Sequence, residues 1–138
     1  MTAYAKPLPV VDDANKPYWH ALKSHELRLL RCDSCGEFRL YPFRQCPYCG
    51  HDRATWAALS GKGQVWTKTV FHHVYFEGFR GEIPYNVVVV ELDEGPRVYS
   101  NIVGKPNDEI RIGDRVEAVF DDVTPDVTLL KFRIVRGP

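Results

Sequence analysis

The chain has 138 residues, no formal net charge, and a makeup of 44% hydrophobic and 26% charged residues. That length holds one ordinary domain or two small ones, and the balance is ordinary for a globular protein. Zero net charge removes the electrostatic argument for nucleic acid or an anionic membrane as partner, and the longest strongly apolar run, residues 87–90, is far too short to span a bilayer.

Residues 1–15 hold Pro7 and Pro9 and little periodicity, which reads as a loose arm. They lack the charged start and long apolar centre of a secretory signal, so a reducing cytoplasm is the expected compartment. Asn15 is placed to cap a short helix over residues 17–23, with Pro17 tolerated in its first turn. Tyr18, Trp19 and Leu22 are its apolar contacts. A helix this short must dock on something. Its own domain is one surface; a partner protein is the other, since large aromatics are common anchors.

Leu27 and Leu29 alternate with Arg28 up to Cys32, which predicts a strand feeding a turn. Residues 31–50 then carry all four cysteines, Cys32, Cys35, Cys46 and Cys49, spaced Cys-x2-Cys-x10-Cys-x2-Cys. Each pair in a tight turn aims two sulfurs at one point, and two facing turns build the tetrahedral cage of a closed structural zinc site. Gly36 and Gly50 follow the pairs, where positive φ is needed, and Pro47 stiffens the second turn. A four-thiolate cage also suits iron. Two disulfides would need an oxidising compartment, and a thioredoxin-type redox site would need a helix start and no second pair. Residues 38–41 are the expected return strand, stopped by Pro42, and residues 54–59 a third strand with Trp56 over a core small enough to need the metal.

Gly61 and Gly63 are expected to mark a hinge, after which the pattern is all strand. Residues 64–76 form a run long enough to need a bulge. Residues 85–92 are apolar almost throughout, as in a strand covered on both faces; Asp93, Glu94 and Gly95 make a hairpin turn. Residues 97–103, 115–120 and 128–135 complete five strands, with a turn at Gly113 and Asp114. The expected architecture is mainly β: an N-terminal arm with a short helix (1–27), a rubredoxin-like zinc ribbon (28–62) and a five-stranded OB-fold barrel (63–138). Residues 104–111 leave little room for the helix usual between the third and fourth OB strands, so an SH3-like barrel is the alternative.

With the cysteines committed to metal, no nucleophile stands in a Gly-x-Ser-x-Gly elbow, and there is no phosphate-binding glycine loop and no His-Glu-x-x-His. His72 and His73 are potential acids or bases, but neighbours on a strand face opposite sides and do not chelate one ion. Phe71, His73, Tyr75, Phe76 and Phe79 gather on one run, able to stack bases, line an apolar acyl pocket or pack on another subunit. Glu91, Asp93 and Glu94 sit at a hairpin turn and read as solvated surface. The ribbon stretch is mildly basic, with Arg28, Arg31, Arg39, Arg44, Arg53 and Lys62 against Asp33, Glu37 and Asp52.

Five stretches, PYWHALKSHELRLLRCDSCGEFRLYP, CPYCG, IPYNVVVVELDEGPRVYSNIVG, RIGDRVEAVFDDV and LLKFR, give the chain a family resemblance over nearly its whole length. It resembles the zinc-ribbon OB-fold proteins of the DUF35 type, found beside thiolases or acyl-CoA hydratases. The resemblance implies a zinc-binding, non-catalytic accessory subunit of an acyl-CoA-processing complex. A thiolase-like or hydratase-like partner would then carry the Claisen or retro-Claisen chemistry. Only the four cysteines carry over residue by residue. On that reading Arg39, Arg44, Arg53 and Lys62 are candidates to meet CoA phosphates. Phe71, His73, Tyr75, Phe76 and Phe79 would face an acyl group or the partner, and Tyr18, Trp19 and Leu22 would dock the partner. The competing readings are a single-stranded nucleic-acid-binding OB module with a zinc ribbon, and a free-standing acyl-CoA carrier or sensor.

Overall fold

A computed structural model describes residues 6–40 and 44–135. Among the described residues one α-helix, α1 (Lys16–Lys23), precedes eight strands. These are β1 (Leu27–Cys32), β2 (Phe38–Arg39), β3 (Ala54–Leu59), β4 (Lys62–Phe71), β5 (Tyr85–Leu92), β6 (Arg97–Ser100), β7 (Arg115–Asp122) and β8 (Thr128–Ile134). They form an antiparallel three-stranded sheet, ordered β2-β1-β3, and a five-stranded sheet, ordered β6-β5-β4-β7-β8. Tyr41 and Pro42, expected to finish the return strand, lie outside the described residues.

The helix settles on its own chain. Leu22 is fully buried and Ala21 nearly so, while Tyr18 and Trp19 pack on the same core with their rings edge to face. α1 lies against β1 of the ribbon and β7 and β8 of the barrel, so it bridges the two sheets. Of the three residues expected to dock a partner, Leu22 is taken up by the chain's own core, while Tyr18 and Trp19 stay half-buried at its edge. Asn15 does stand at the N-cap, but its side chain makes no cap bond. Its Oδ1 accepts the Asp12 N–H and its amide donates to the Val10 carbonyl, fixing the arm instead.

Ribbon and barrel share one core. Leu22, Leu27, Leu29 and Leu59 are continuous with Val65, Val88, Val90, Leu92, Val116 and Phe132. Where a hinge was expected, the backbone is tied. Ser60 N–H donates to Glu94, Ala118 N–H to the Gly61 carbonyl, and Asp93 N–H to the Lys62 carbonyl. Gly63 lies so close to β5 that a Cβ there would sit 2.3 Å from the Glu91 carbonyl oxygen. These glycines serve close approach rather than flexibility.

Five strands close as an OB-fold. The chain just after β6 meets β8 in parallel at Ile102 and Phe132, with Phe132 N–H on the Asn101 carbonyl and Val103 N–H on the Phe132 carbonyl. β4 carries the expected bulge: register shifts between Val65 and Thr67, and the extra residue, Trp66, lies half-exposed under the Arg97 guanidinium. It ends at Phe71 rather than residue 76, so His72 and His73 are exposed loop residues, outside the alternation of a strand. β5 is covered on one face only. Asn86, Val88, Val90 and Leu92 point into the core, and the alternate residues are half-buried. Between β6 and β7 there is a single 3₁₀ turn, Asn107–Glu109, whose Asn107 carbonyl, with that of Ile110, accepts the Lys68 ammonium.

Gly63→Ala is expected to lower unfolding free energy by about 2–3 kcal/mol, the usual cost of forcing atoms into a packed site. Gly81→Ala, where a Cβ meets nothing within 4 Å, serves as the near-neutral control. Urea denaturation of both variants checks the difference.

Candidate metal centre and aromatic mouth

The two cysteine pairs take the same local form. Cys32 ends β1, and Gly36 at φ 78° lets its N–H return to the Cys32 carbonyl at 3.0 Å. Gly50 at φ 79° does the same for the Cys46 carbonyl at 2.9 Å. Each first cysteine donates its own N–H back across the turn, Cys32 to Glu37 and Cys46 to His51. Backbone N–H groups of Cys35 and Tyr48 then point at the Cys32 and Cys46 sulfurs, at 3.5 and 3.4 Å.

All four Sγ atoms lie within 4.8 Å of one another, with Cys32–Cys49 and Cys35–Cys46 at 3.6 Å. A tetrahedron of thiolates at about 2.3 Å from zinc has edges of about 3.8 Å, whereas a disulfide needs about 2.05 Å. The geometry is a metal site built from four free thiols. Its electrostatics make the same point. The Cys32 thiol is lowered to about 6, first by the Cys35 backbone N–H, against the cost of burial. Cys46 is lowered as well, its backbone N–H bonds from Cys49 and Tyr48 overcoming desolvation. Cys35 is pushed up to about 12: the Glu37 backbone N–H favours its thiolate, but desolvation and three neighbouring sulfurs outweigh it. Sulfurs packed this tightly repel as anions until a cation joins them.

The basic candidates do not converge. Arg39 is 4% exposed, and its guanidinium donates to the His51 and Asp52 carbonyls at 3.1 and 3.2 Å. It clamps the second cysteine turn to β2, which corrects its expected role as a phosphate contact. Arg44 is exposed beside Gln45, Pro47 and Asp52, Arg53 is exposed just before β3, and Lys62 lies in a separate depression with His25 and Glu117. The hairpin acids are structural partners: Glu91 holds Arg97, Glu94 holds Ser60, and Asp93 grips Arg115 through two 2.9 Å bonds that lower its pKa.

The aromatic candidates do converge, around the loop joining β4 to β5. Phe71 stacks on Tyr85 at 5.3 Å and meets Tyr75 edge-on; His73 packs on Tyr75 at 4.7 Å. Phe79 lies 4.9 Å from Tyr85 and touches Phe76. Tyr75 and Phe76 remain 62% and 56% exposed, so the cluster forms a ridge over solvent. Tyr85 was not among the sequence candidates; its place as the first residue of β5, paired with Phe71, is what brings it in.

Behind the ridge lies a cleft of about 290 Å³ walled by Phe79, Tyr85, Asn101 and Asn107, with Lys6, Lys105 and Lys131 around it. Lys6 comes from the arm, Lys105 from the loop after β6 and Lys131 from β8. No local pattern marks three lysines so far apart in sequence.

Residues 19–55 match the family model for the ChsH2 rubredoxin-like zinc ribbon domain, and residues 56–121 that for the ChsH2 C-terminal OB-fold domain. A Thermomonospora curvata protein named "Probable enoyl-CoA hydratase alpha subunit" is 36% identical over 128 residues, 93% of this chain. The match spans only 40% of that longer protein. A DUF35 domain-containing scaffold protein of Methanocaldococcus jannaschii is 35% identical over 111 residues, covering 78% of this chain and 77% of that one. Among solved structures, a chain of the "Ltp2-ChsH2(DUF35) aldolase" superposes with a TM-score of 0.81 at 35% identity, over 92% of this chain and 98% of that one. No helix among the described residues is long and apolar enough to cross a membrane.

Protons compete with the metal for all four thiolates, and the lowered Cys32 pKa makes that sulfur the readier to exchange its proton for a cation. Metal loss to a chelator is therefore expected to be slow at pH 8 and about tenfold faster at pH 5. Cys32→Ser should abolish retention and lower the melting temperature. A metal-free protein with unchanged melting would refute the site.

Proposed function

The chain belongs to the DUF35 family of zinc-ribbon and OB-fold proteins, and from that premise we propose that it is a non-catalytic, zinc-bearing accessory subunit of an acyl-CoA-processing complex. One Zn2+ per chain sits among Cys32, Cys35, Cys46 and Cys49 and supplies structure, not turnover. The partner is a thiolase-like enzyme. The observation that carries the reading is the match, over nearly the full length of both chains, to the DUF35 chain of an Ltp2-ChsH2 aldolase.

The exposed ridge of Tyr75 and Phe76, continuous with Phe71, His73 and Phe79, is the surface offered to the partner or to an acyl group. Aromatic residues standing this far out of a core are the usual anchors of an interface. Arg44, Arg53 and Lys62, all exposed, remain as candidate contacts for CoA or for the partner's rim, where charges set encounter more than affinity.

A hydratase-like partner is the second reading. The hydratase alpha subunit of Thermomonospora curvata favours it, as does a 30% identical "3-oxo-4,17-pregnadiene-20-carboxyl-CoA hydratase alpha subunit" from Mycobacterium tuberculosis. Both are much longer proteins, of which this chain matches 40% and 35%.

Co-expression with thiolase-like and with hydratase-like candidates from the same genome separates the two. A stable complex with the thiolase, whose solubility and turnover rise with this chain, is the expected outcome. Tyr75→Asp/Phe76→Asp should weaken that complex at least about tenfold while leaving the melting of the free chain unchanged. A thiolase fully soluble and active alone, or complex formation only with the hydratase, would count against the first reading.

A further inference from the structure

The four metal-site cysteines differ in their access to solvent. Cys32 and Cys46, the first of each pair, are buried, whereas Cys35 and Cys49, the second of each, are exposed. The 3.6 Å sulfur approaches cross from one turn to the other, and each joins a buried cysteine to an exposed one: Cys32 to Cys49 and Cys46 to Cys35. A disulfide needs about 2.05 Å, so either pair closes with a shift of about 1.5 Å. The chain has no fifth cysteine and a single methionine. An oxidant that attacks sulfur therefore has the cage as its main target, and no other thiol competes for the bond that follows. A metal ligand is a thiolate rather than a thiol, and the thiolate is also the form that peroxide attacks.

From this geometry we infer that the metal centre is a peroxide-responsive release switch. Hydrogen peroxide meets the exposed Cys49 or Cys35 thiolate first. The sulfur takes one peroxide oxygen and becomes a sulfenic acid, while the other oxygen leaves as hydroxide. The buried partner across the gap, Cys32 or Cys46, attacks that sulfur; the S–S bond forms and a second hydroxide departs. Each bond consumes one peroxide and takes two electrons from two thiolates. With two of its four ligands withdrawn the ion leaves, and the remaining pair closes in the same way.

Both bonds run between the turns, so they keep in covalent form the connection that the metal made. That makes the change reversible by a dithiol and zinc. It also reaches beyond the cage. His51 and Asp52, whose carbonyls Arg39 holds, lie just past Cys49. Leu27 and Leu29 stand on β1, which ends at Cys32, and belong to the core shared with the barrel. Drawing the sulfurs out of their tetrahedron therefore loosens the packing of β1 against α1 and the barrel. The inference uses the zinc of the accessory-subunit reading and goes beyond it; the partner does not enter.

The test exposes the zinc-loaded full chain to hydrogen peroxide in the presence of a chelating dye. Zinc release is expected to be at least about tenfold faster than with the dye alone, and the final mass to fall by about 4 Da for two disulfides. Trypsin separates the two pairs, Cys32 and Cys35 in CDSCGEFR and Cys46 and Cys49 in QCPYCGHDR. Cross-turn bonds join these peptides, and fragmentation should give Cys32–Cys49 and Cys35–Cys46. Dimedone added with the peroxide should label Cys35 and Cys49 ahead of Cys32 and Cys46. Oxidation should lower the melting temperature, and dithiothreitol with zinc should restore it along with the metal content. Release no faster than with dye alone would overturn the switch, as would a mass gain from sulfinic acids without disulfides. Bonds closed within a turn, Cys32–Cys35 and Cys46–Cys49, would overturn the cross-turn mechanism. A reduced chain unable to hold zinc would sink the zinc-bearing part of the proposed function together with this inference; zinc held and never released by peroxide would sink this inference alone.

Discussion

Four sulfurs held within 4.8 Å are the constraint on which the first third of the fold rests. The ribbon has little else. β2, the strand among the described residues between the two cysteine pairs, is only two residues long. Without a cation the clustered thiolates repel, and burial together with the three other sulfurs pushes the Cys35 thiol up. With one, the repulsion becomes attraction and both turns are fixed at once. Arg39 extends the effect by tying the carbonyls of His51 and Asp52 to β2. Because Leu27, Leu29 and Leu59 belong to the same core as the barrel, order at the sulfurs is passed on through β1 and β3 to α1 and β4.

The barrel solves a different problem. It closes where a short β6 has run out, and backbone groups there would be buried without partners. Asn86 supplies them, bonding both the N–H and the carbonyl of Ile102, while Phe132 fills the space beneath. A buried polar side chain is stabilising only when fully satisfied, and this one is bonded from several sides. Lys68 does the same for two loop carbonyls with a single ammonium. These polar closures rigidify the rim and so fix the spacing between the aromatic loop and the lysine-lined cleft.

What could be read from the sequence was whatever is local. The spacing of Cys32, Cys35, Cys46 and Cys49 implies convergent sulfurs, because a Cys-x2-Cys turn has one shape, and Gly36 and Gly50 take the positive φ their positions suggest. The bulge at Trp66 follows from strand length. Residues set by distant contacts were not legible. Arginine is usually a surface residue, so Arg39 looked like a ligand contact until its carbonyl partners, more than ten residues on, were in view. Periodicity gave α1 an apolar face but could not say that β1, β7 and β8 cover it. Lys6 and Lys131 sit 125 positions apart and meet only because the barrel closes.

The aromatic loop shows how far local reading goes. Phe71, His73, Tyr75, Phe76 and Phe79 lie close in sequence and do cluster, yet composition alone could not distinguish a core from a display. Solvent exposure makes the distinction. The 3₁₀ turn Glu77–Glu82 contributes no buried residue, so the loop is not held by sinking its side chains into the barrel. It is held by ring contacts onto Tyr85, by the Lys6–Glu82 ion pair and by a two-bond Arg80–Glu77 pair within the turn. A loop braced from within, with its largest apolar groups left outside, spends its order on shape at the surface rather than on core stability. That is the arrangement expected of a surface completed by something else.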